Sequence, residues 1–98
     1  MPKTLISIVI PVYNEEGNIL PFFAELKQAI PKEYEVEFIY VDDGSTDSTL
    51  TKIKQLQAKN KNAKYISFTR NFGHQYALKA GLDHAQGEAV ISLDGDFQ

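Results

Sequence analysis

Asp94-Gly95-Asp96-Phe97-Gln98 places oxygen donors at every second position. In an extended chain such positions point the same way, so Asp94, Asp96 and Gln98 converge on one side. That set suits a hard cation, because Mg2+ takes one or two carboxylates and completes its near-octahedral shell with water and phosphate oxygens. Gly95 leaves the backbone open to close approach. The alternative is a surface turn, since Asp and Gly are also turn residues. A second acidic pair, Asp42-Asp43, is followed by Gly44-Ser45-Thr46-Asp47. One carboxylate here could accept from a nucleobase N–H or from ribose hydroxyls. The local alternative makes Asp47 or Ser45 a helix cap and Gly44 a turn, which leaves the adjacent acids unexplained.

Two further segments complete the set. Pro11-Val12-Tyr13-Asn14-Glu15-Glu16 offers Tyr13 for base stacking and Glu15 for a ribose, unless Glu15 and Glu16 simply favour a helix N-terminus. It is not a phosphate cradle, as neither G-x-G-x-x-G nor a Walker pattern occurs in the chain. Arg70-Asn71-Phe72-Gly73-His74 carries a fixed positive charge able to meet a phosphate, with His74 read as an exposed helix-start residue.

All four segments follow apolar runs rich in Ile, Val, Phe and Tyr, at Leu5–Val12, Val36–Val41, Lys64–Phe68 and Ala89–Leu93. Such runs are expected of buried strands. The first, with Lys3 ahead of it, is broken by Pro11 and lacks a cleavage pattern, so it reads as a strand and not as a signal peptide. Helical spacing lies between the runs. Ile19, Phe22, Phe23, Leu26 and Ile30 form one stripe ended by Pro31, and Leu50, Ile53 and Leu56 form another, opened by Ser45, Thr46 and Asp47 as candidate N-caps. A third helix is expected from about His74 to Ala85, closed near Gly87. Lys59-Asn60-Lys61-Asn62 reads as a solvated helix end. The order β-α-β-α-β-α-β predicts an α/β fold with a mostly parallel open sheet, in which ligands bind outside the carboxyl ends of the strands.

Composition narrows the function. With 98 residues the chain holds one small core and no second lobe. Ten basic against thirteen acidic residues, net −3, argue against a nucleic-acid partner. The absence of Cys excludes thiolate metal sites and fits a reducing compartment. No apolar stretch is long enough to span a bilayer.

Ile8-Val9-Ile10-Pro11-Val12-Tyr13-Asn14-Glu15, Val41-Asp42-Asp43-Gly44-Ser45 and Asp94-Gly95-Asp96-Phe97-Gln98, in this order and spacing, resemble the inverting family 2 glycosyltransferases of GT-A fold. Arg70-Asn71-Phe72-Gly73-His74, followed by Ala77, Ala80, Gly81 and Leu82, is similar to the polyprenyl-phosphate branch, which includes dolichol-phosphate mannose synthases and bactoprenol glucosyltransferases. The resemblance implies that Pro11, Val12, Tyr13 and Glu15 hold the nucleotide of a sugar donor. It assigns nucleotide contacts to Asp43 and to the backbone of Val41, and makes Asp94, Gly95 and Asp96 a D-x-D motif. Mg2+ or Mn2+ would sit among Asp94, Asp96 and Gln98, with Asp96 and Gln98 foremost. Gly95 and Phe97 stand where Ala and Leu are common in the branch, a change that touches no ligating side chain.

The implied reaction moves a hexose from a UDP- or GDP-sugar to a polyprenyl phosphate at the cytoplasmic face of a membrane. The family's catalytic domain is longer than this chain. Residues 1–98 are therefore expected to be its N-terminal nucleotide-sugar-binding portion, truncated just after the D-x-D motif and inactive alone, with acceptor-side residues, base and membrane-contacting parts lying beyond Gln98. A phosphoacceptor receiver domain fits less well, because its acceptor Asp follows the third strand, where this chain has Thr69-Arg70. A haloacid-dehalogenase-type phosphatase carries Asp-x-Asp after its first strand, not its fourth. A noncatalytic nucleotide-sugar-binding module and a family 2 glycosyltransferase with a different, saccharide acceptor both stay open. If the strands lie in the order third, second, first, fourth, Ala89–Leu93 is an edge and invites self-association.

Overall fold

The computed structural model describes residues 3–94. Four strands and three helices alternate: β1 Thr4–Val12, α1 Ile19–Ala29, β2 Tyr34–Asp42, α2 Thr49–Lys59, β3 Ala63–Ser67, α3 His74–His84 and β4 Ala89–Ser92. The sheet has the order β3-β2-β1-β4. Every pairing is parallel, as the expected crossovers require. In β1 and β2 the whole carboxyl half is buried, because helices cover both faces of the sheet.

Alternation along β1 and β2 divides the core in two. Ile8, Ile10 and Val12 of β1, with Phe38 and Tyr40 of β2, pack against Ile19 and Phe23 of α1 and Ile53 and Leu56 of α2. Phe23 meets Phe38 edge-on at 4.8 Å between ring centroids. On the opposite face Val9, Ile39 and Val41 pack against Ala77 of α3. Gly81 makes that approach possible, since a Cβ there would lie 2.2 Å from Val9 Cγ1.

Several boundaries differ from expectation. β2 begins two residues before its apolar run, because Tyr34 and Glu35 pair in register with Thr4 and Leu5. β3 is shifted one residue earlier, and β4 ends at Ser92 although the Leu93 N–H still donates to the Val9 carbonyl at 2.9 Å. None of Ser45, Thr46 and Asp47 occupies the N-cap of α2, which is Ser48. Asp47 nevertheless caps from one residue further out, accepting from the Thr49 N–H at 2.9 Å. Gly87 does not close α3, whose C-cap is Ala85. It is small because β1 passes beside it, and a Cβ there would lie 2.7 Å from the Ser7 nitrogen.

Beyond α3, on the same sheet face, sits a polar cluster. Glu37 of β2 is buried and accepts from the Ser7 hydroxyl, from Lys64 Nζ at 2.8 Å and from the Gln86 N–H at 2.7 Å. The Gly87 N–H donates to Ser7 Oγ at 2.8 Å, so this cluster fastens the turn that leads into β4.

Candidate functional site

The carboxyl ends of the strands deliver four loops to one end of the sheet. The loop after β1 turns at Asn14, whose φ of 52° lies in the left-handed region that Asn tolerates better than most residues. It is stitched to the loop after β2. The Asn14 N–H donates to Ser45 Oγ at 2.9 Å, the Thr46 N–H to Asn14 Oδ1 at 2.8 Å, the Glu15 N–H to Thr49 Oγ1 at 2.9 Å and the Ser48 N–H to a Glu16 carboxylate oxygen at 2.9 Å. Asp47 also receives the Glu16 N–H, at 3.4 Å. Burial pushes the Asp47 carboxyl up, but the Thr49 hydroxyl and the Thr49 and Glu16 amides outweigh it and hold the group below the ordinary aspartate value.

The two acids after β2 have different duties. Asp42 is buried, and its Oδ1 accepts from the Ser45 N–H at 3.2 Å, closing a local turn. Asp43 is 4% exposed and reaches across to the loop after β3. Its Oδ1 accepts from the Phe72 N–H at 2.8 Å, and its Oδ2 from the Gly73 N–H and from Asn71 Nδ2, both at 3.0 Å. Gly44, at φ 71°, is pressed against the same loop, where a Cβ would lie 2.1 Å from the Arg70 carbonyl carbon.

A cavity of about 330 Å3 opens between these loops. Pro11, Val12 and Tyr13 line one side, Asp43 lies at its base, and Asn71, Gly73, His74 and Ala77 line the other. A second cavity, of about 370 Å3, shares Pro11 and His74 with the first and continues to Ser92, Leu93 and Asp94. The cleft therefore runs from the Tyr13 ring to the Asp94 carboxylate along the start of α3.

Pro11, Val12, Tyr13 and Asp43 are thus brought together as expected, with Asp94 further along. Glu15 does not line these cavities, and its carboxylate accepts from Asn18 Nδ2 at 2.7 Å. The Val41 side chain is fully buried in the core beneath α3, and Val41 does not line these cavities. Arg70 does not line the cavities either: its guanidinium lies 4.6 Å from the centroid of the Phe72 ring. His74, read as a bystander at the helix start, lines both cavities, as Pro11 does. Asn71, Gly73 and Ala77 escaped the residue-by-residue reading. Their signal was the loop itself, since a polar segment leaving a buried strand ahead of a helix lies at the ligand end of an α/β sheet.

Gly95, Asp96 and Gln98 lie outside the described residues. No group of three metal-ligating side chains occurs among the described residues. Asp94 is exposed and makes no hydrogen bond or ion pair among them, so an uncommitted carboxylate at the cleft end fits the single-carboxylate share of a hard-cation shell. Also among the described residues, no helix is long and apolar enough to cross a membrane.

The fold is an α/β unit with an open cleft at the carboxyl ends of a parallel sheet, running to the Asp94 carboxylate. The chain belongs to glycosyl transferase family 2, whose pattern matches residues 7–98. It is 47% identical over 94 residues to the bactoprenol glucosyl transferase of Shigella phage SfV, covering 95% of this chain and 31% of that protein. Among solved structures it is similar to the mannosyltransferase PcManGT from Pyrobaculum calidifontis in complex with GDP-Man and Mn2+, with a TM-score of 0.84 and 26% identity over 97% of this chain and 28% of the other. It is also similar to S. aureus TarS 1-349 in complex with UDP-GlcNAc, with a TM-score of 0.80 and 35% identity over 93% of this chain and 26% of the other. The chain thus spans about 31% of the length of the phage relative.

Proposed function

We propose that the chain is the nucleotide-sugar-binding portion of an inverting glycosyltransferase that moves a hexose from a UDP- or GDP-sugar to a polyprenyl phosphate. The observation that carries this reading is the continuous cleft from Tyr13 and Asp43 to Asp94. A nucleoside fits between the Tyr13 ring and the Asn71 side, and the diphosphate extends past His74 toward Asp94. Both solved neighbours were captured with a nucleotide sugar, one of them with Mn2+ as well. The bactoprenol glucosyl transferase relative supports a polyprenyl phosphate acceptor.

Asp94, Asp96 and Gln98 would hold Mg2+ or Mn2+. A divalent cation bound there supplies positive charge that stabilises the nucleoside diphosphate as it leaves the sugar. The chain's own contribution is to orient the donor and bring its phosphates to the acidic end of the cleft. A phosphate monoester acceptor, with a second pKa of about 6, is largely ionised at neutral pH and needs little help from a general base.

Titration calorimetry with UDP and GDP, in Mn2+ and in a chelator, tests the reading. One of the nucleotides should bind more tightly with metal, and Asp96→Asn should abolish the difference. Equal affinity with metal and with chelator would overturn the D-x-D assignment, and failure of both nucleotides to bind would overturn the function.

A further inference from the structure

The net charge of −3 conceals a division along the chain. Residues 48–82 hold seven basic side chains and no acid, whereas the rest of the chain holds three basic and thirteen acidic ones. That basic stretch comprises α2, β3 and most of α3. Two of its cations are answered, Lys64 by Glu37 and Lys79 by Asp83, both at 2.8 Å. Lys52, Lys54, Lys59, Lys61 and Arg70 form no ion pair among the described residues.

The fold gathers these five on one flank. β3 is an outer strand with α2 packed on it, while α3 lies over β1 and β2, so that flank belongs to α2 and β3. Along α2, Thr49, Ile53 and Leu56 take the inner face, Lys52 and Lys59 share one stripe seven residues apart, and Lys54 stands on the outer side. The helix joins two parallel strands and runs back against them, so its lysines spread charge over about 16 Å from the cleft end to the amino end of the sheet. Lys61 follows at the amino end, where Lys27 of α1 donates to Asn60 Oδ1 at 3.1 Å and adds a further cation. Arg70 closes the cleft end, its guanidinium 4.6 Å from the centroid of the Phe72 ring. The Tyr76 ring, 65% exposed, lies 6.5 Å beyond.

Protection of a strand edge does not account for this pattern. Lysines discourage edge pairing when they stand on the edge strand, as Lys64 does, but Lys52, Lys54 and Lys59 stand on the helix. We propose that the α2–β3 flank is a peripheral contact for an anionic lipid bilayer. The lysines of α2 meet the phosphate headgroups, and Phe72 and Tyr76 beside Arg70 supply the aromatic rings that favour a membrane–water boundary. A nucleic-acid strand leaving the flank would run into the thirteen acids carried elsewhere, whereas a flat bilayer need touch the flank alone. Only the choice of lipid over nucleic acid rests on the polyprenyl phosphate reading proposed above, which brings a lipid phosphate to this protein.

Vesicle co-sedimentation of the chain, without nucleotide, tests the proposal. The chain should bind vesicles of equal parts phosphatidylglycerol and phosphatidylcholine and ignore phosphatidylcholine alone. Binding should be lost in about 1 M salt, where charges are screened within roughly 3 Å. A basic residue at an anionic surface changes the partition roughly fivefold, so Lys52→Gln combined with Lys59→Gln should weaken binding about twenty- to thirtyfold. Lys79→Gln lowers the net charge as much as either substitution, but its cation is already answered by Asp83 on α3, and binding should change little.

A readout in the unaltered protein is acetylation of lysines by a water-soluble reagent. Anionic vesicles should shield Lys52, Lys54, Lys59 and Lys61 and leave Lys79 open. The proposal is overturned if the chain ignores anionic vesicles or binds neutral ones equally well, if Lys79→Gln weakens binding as much as a substitution on α2, or if the α2 lysines stay open to the reagent. Tighter binding to single-stranded RNA than to anionic vesicles would also overturn it, in favour of a nucleic-acid partner. No nucleotide takes part, so each of these results leaves the nucleotide-sugar reading standing. Conversely, calorimetry that found no nucleotide binding would remove that reading while vesicle binding stood.

Discussion

Replacing Glu37 with Gln should destabilise the fold by about 2 kcal/mol at neutral pH, and the loss should fade in acid. A hydrogen bond to an ionised group contributes about 1.5–3 kcal/mol, roughly twice a neutral one. Lys64 is 52% exposed, so its ion pair with Glu37 is screened by water and is counted at under about 1 kcal/mol. The Ser7 hydroxyl and the Gln86 N–H are the buried donors. A glutamine oxygen can still accept from both, but without the charge that strengthens them, and its NH2 then faces Lys64. Half the strength of two charge-assisted bonds plus the screened pair gives the figure of about 2 kcal/mol, or a fall in Tm of roughly 10 °C for a domain of this size.

The pH dependence fixes the cause. Burial alone would raise the Glu37 pKa, but hydrogen bonds from Lys64, Ser7 and the Gln86 N–H, with the Lys64 charge, lower it below the ordinary 4.5. A lowered folded pKa means that the contribution is complete above the unfolded pKa and is lost as pH falls through the folded value. Urea denaturation of both proteins should therefore show a constant gap from about pH 8 to 6 that closes below the unfolded glutamate value. A gap equally wide at pH 7 and pH 3, or no gap at pH 7, would refute the reasoning.

The other expectations are simpler. Gly81→Ala should destabilise by about 1–2 kcal/mol in chemical denaturation, because overpacking against Val9 outweighs the gain of about 1 kcal/mol in helix propensity; a stabilised variant would show that α3 sits further from the sheet. Tyr40→Phe should stabilise by about 1 kcal/mol, measured as a raised urea midpoint, since the buried Tyr40 hydroxyl has no hydrogen-bond partner among the described residues and burial has pushed its pKa up. The chain should self-associate in light scattering as concentration rises, because Val90 and Ile91 on the outer strand are 43% and 46% exposed, and Ile91→Lys should suppress it. A monomer at all concentrations would show that this edge needs no cover.

Legibility in the sequence tracked the reach of the force involved. β1 and β2 were plain because burial on both faces demands continuous apolar runs, and α1 was plain because Ile19 and Phe23 must share one face. The true start of β2 was hidden, since Tyr34 and Glu35 join the sheet through backbone bonds alone, and backbone bonds leave no trace in residue type. The cleft repeats that division. Tyr13, Asp43 and Asp94 announced themselves by side-chain chemistry, whereas the partners of Asp43 are mostly main-chain amides twenty-nine and thirty residues away, brought near only by the parallel order of β1, β2 and β3.

Glycines show the same limit. Gly44 and Gly87 both read as local punctuation, yet each is small because another segment passes within van der Waals contact, Arg70 in one case and Ser7 in the other. A carboxylate beside a strand end therefore has two possible audiences, the ligand or the neighbouring loop, and sequence cannot choose between them. Topology can. Once β3 lies next to β2, the amides of Phe72 and Gly73 must find an acceptor or remain unsatisfied at the base of the cleft, and Asp43 is the buried group placed to receive them. The acid that looked most available for a ligand is then the one that holds the loop after β3 in place.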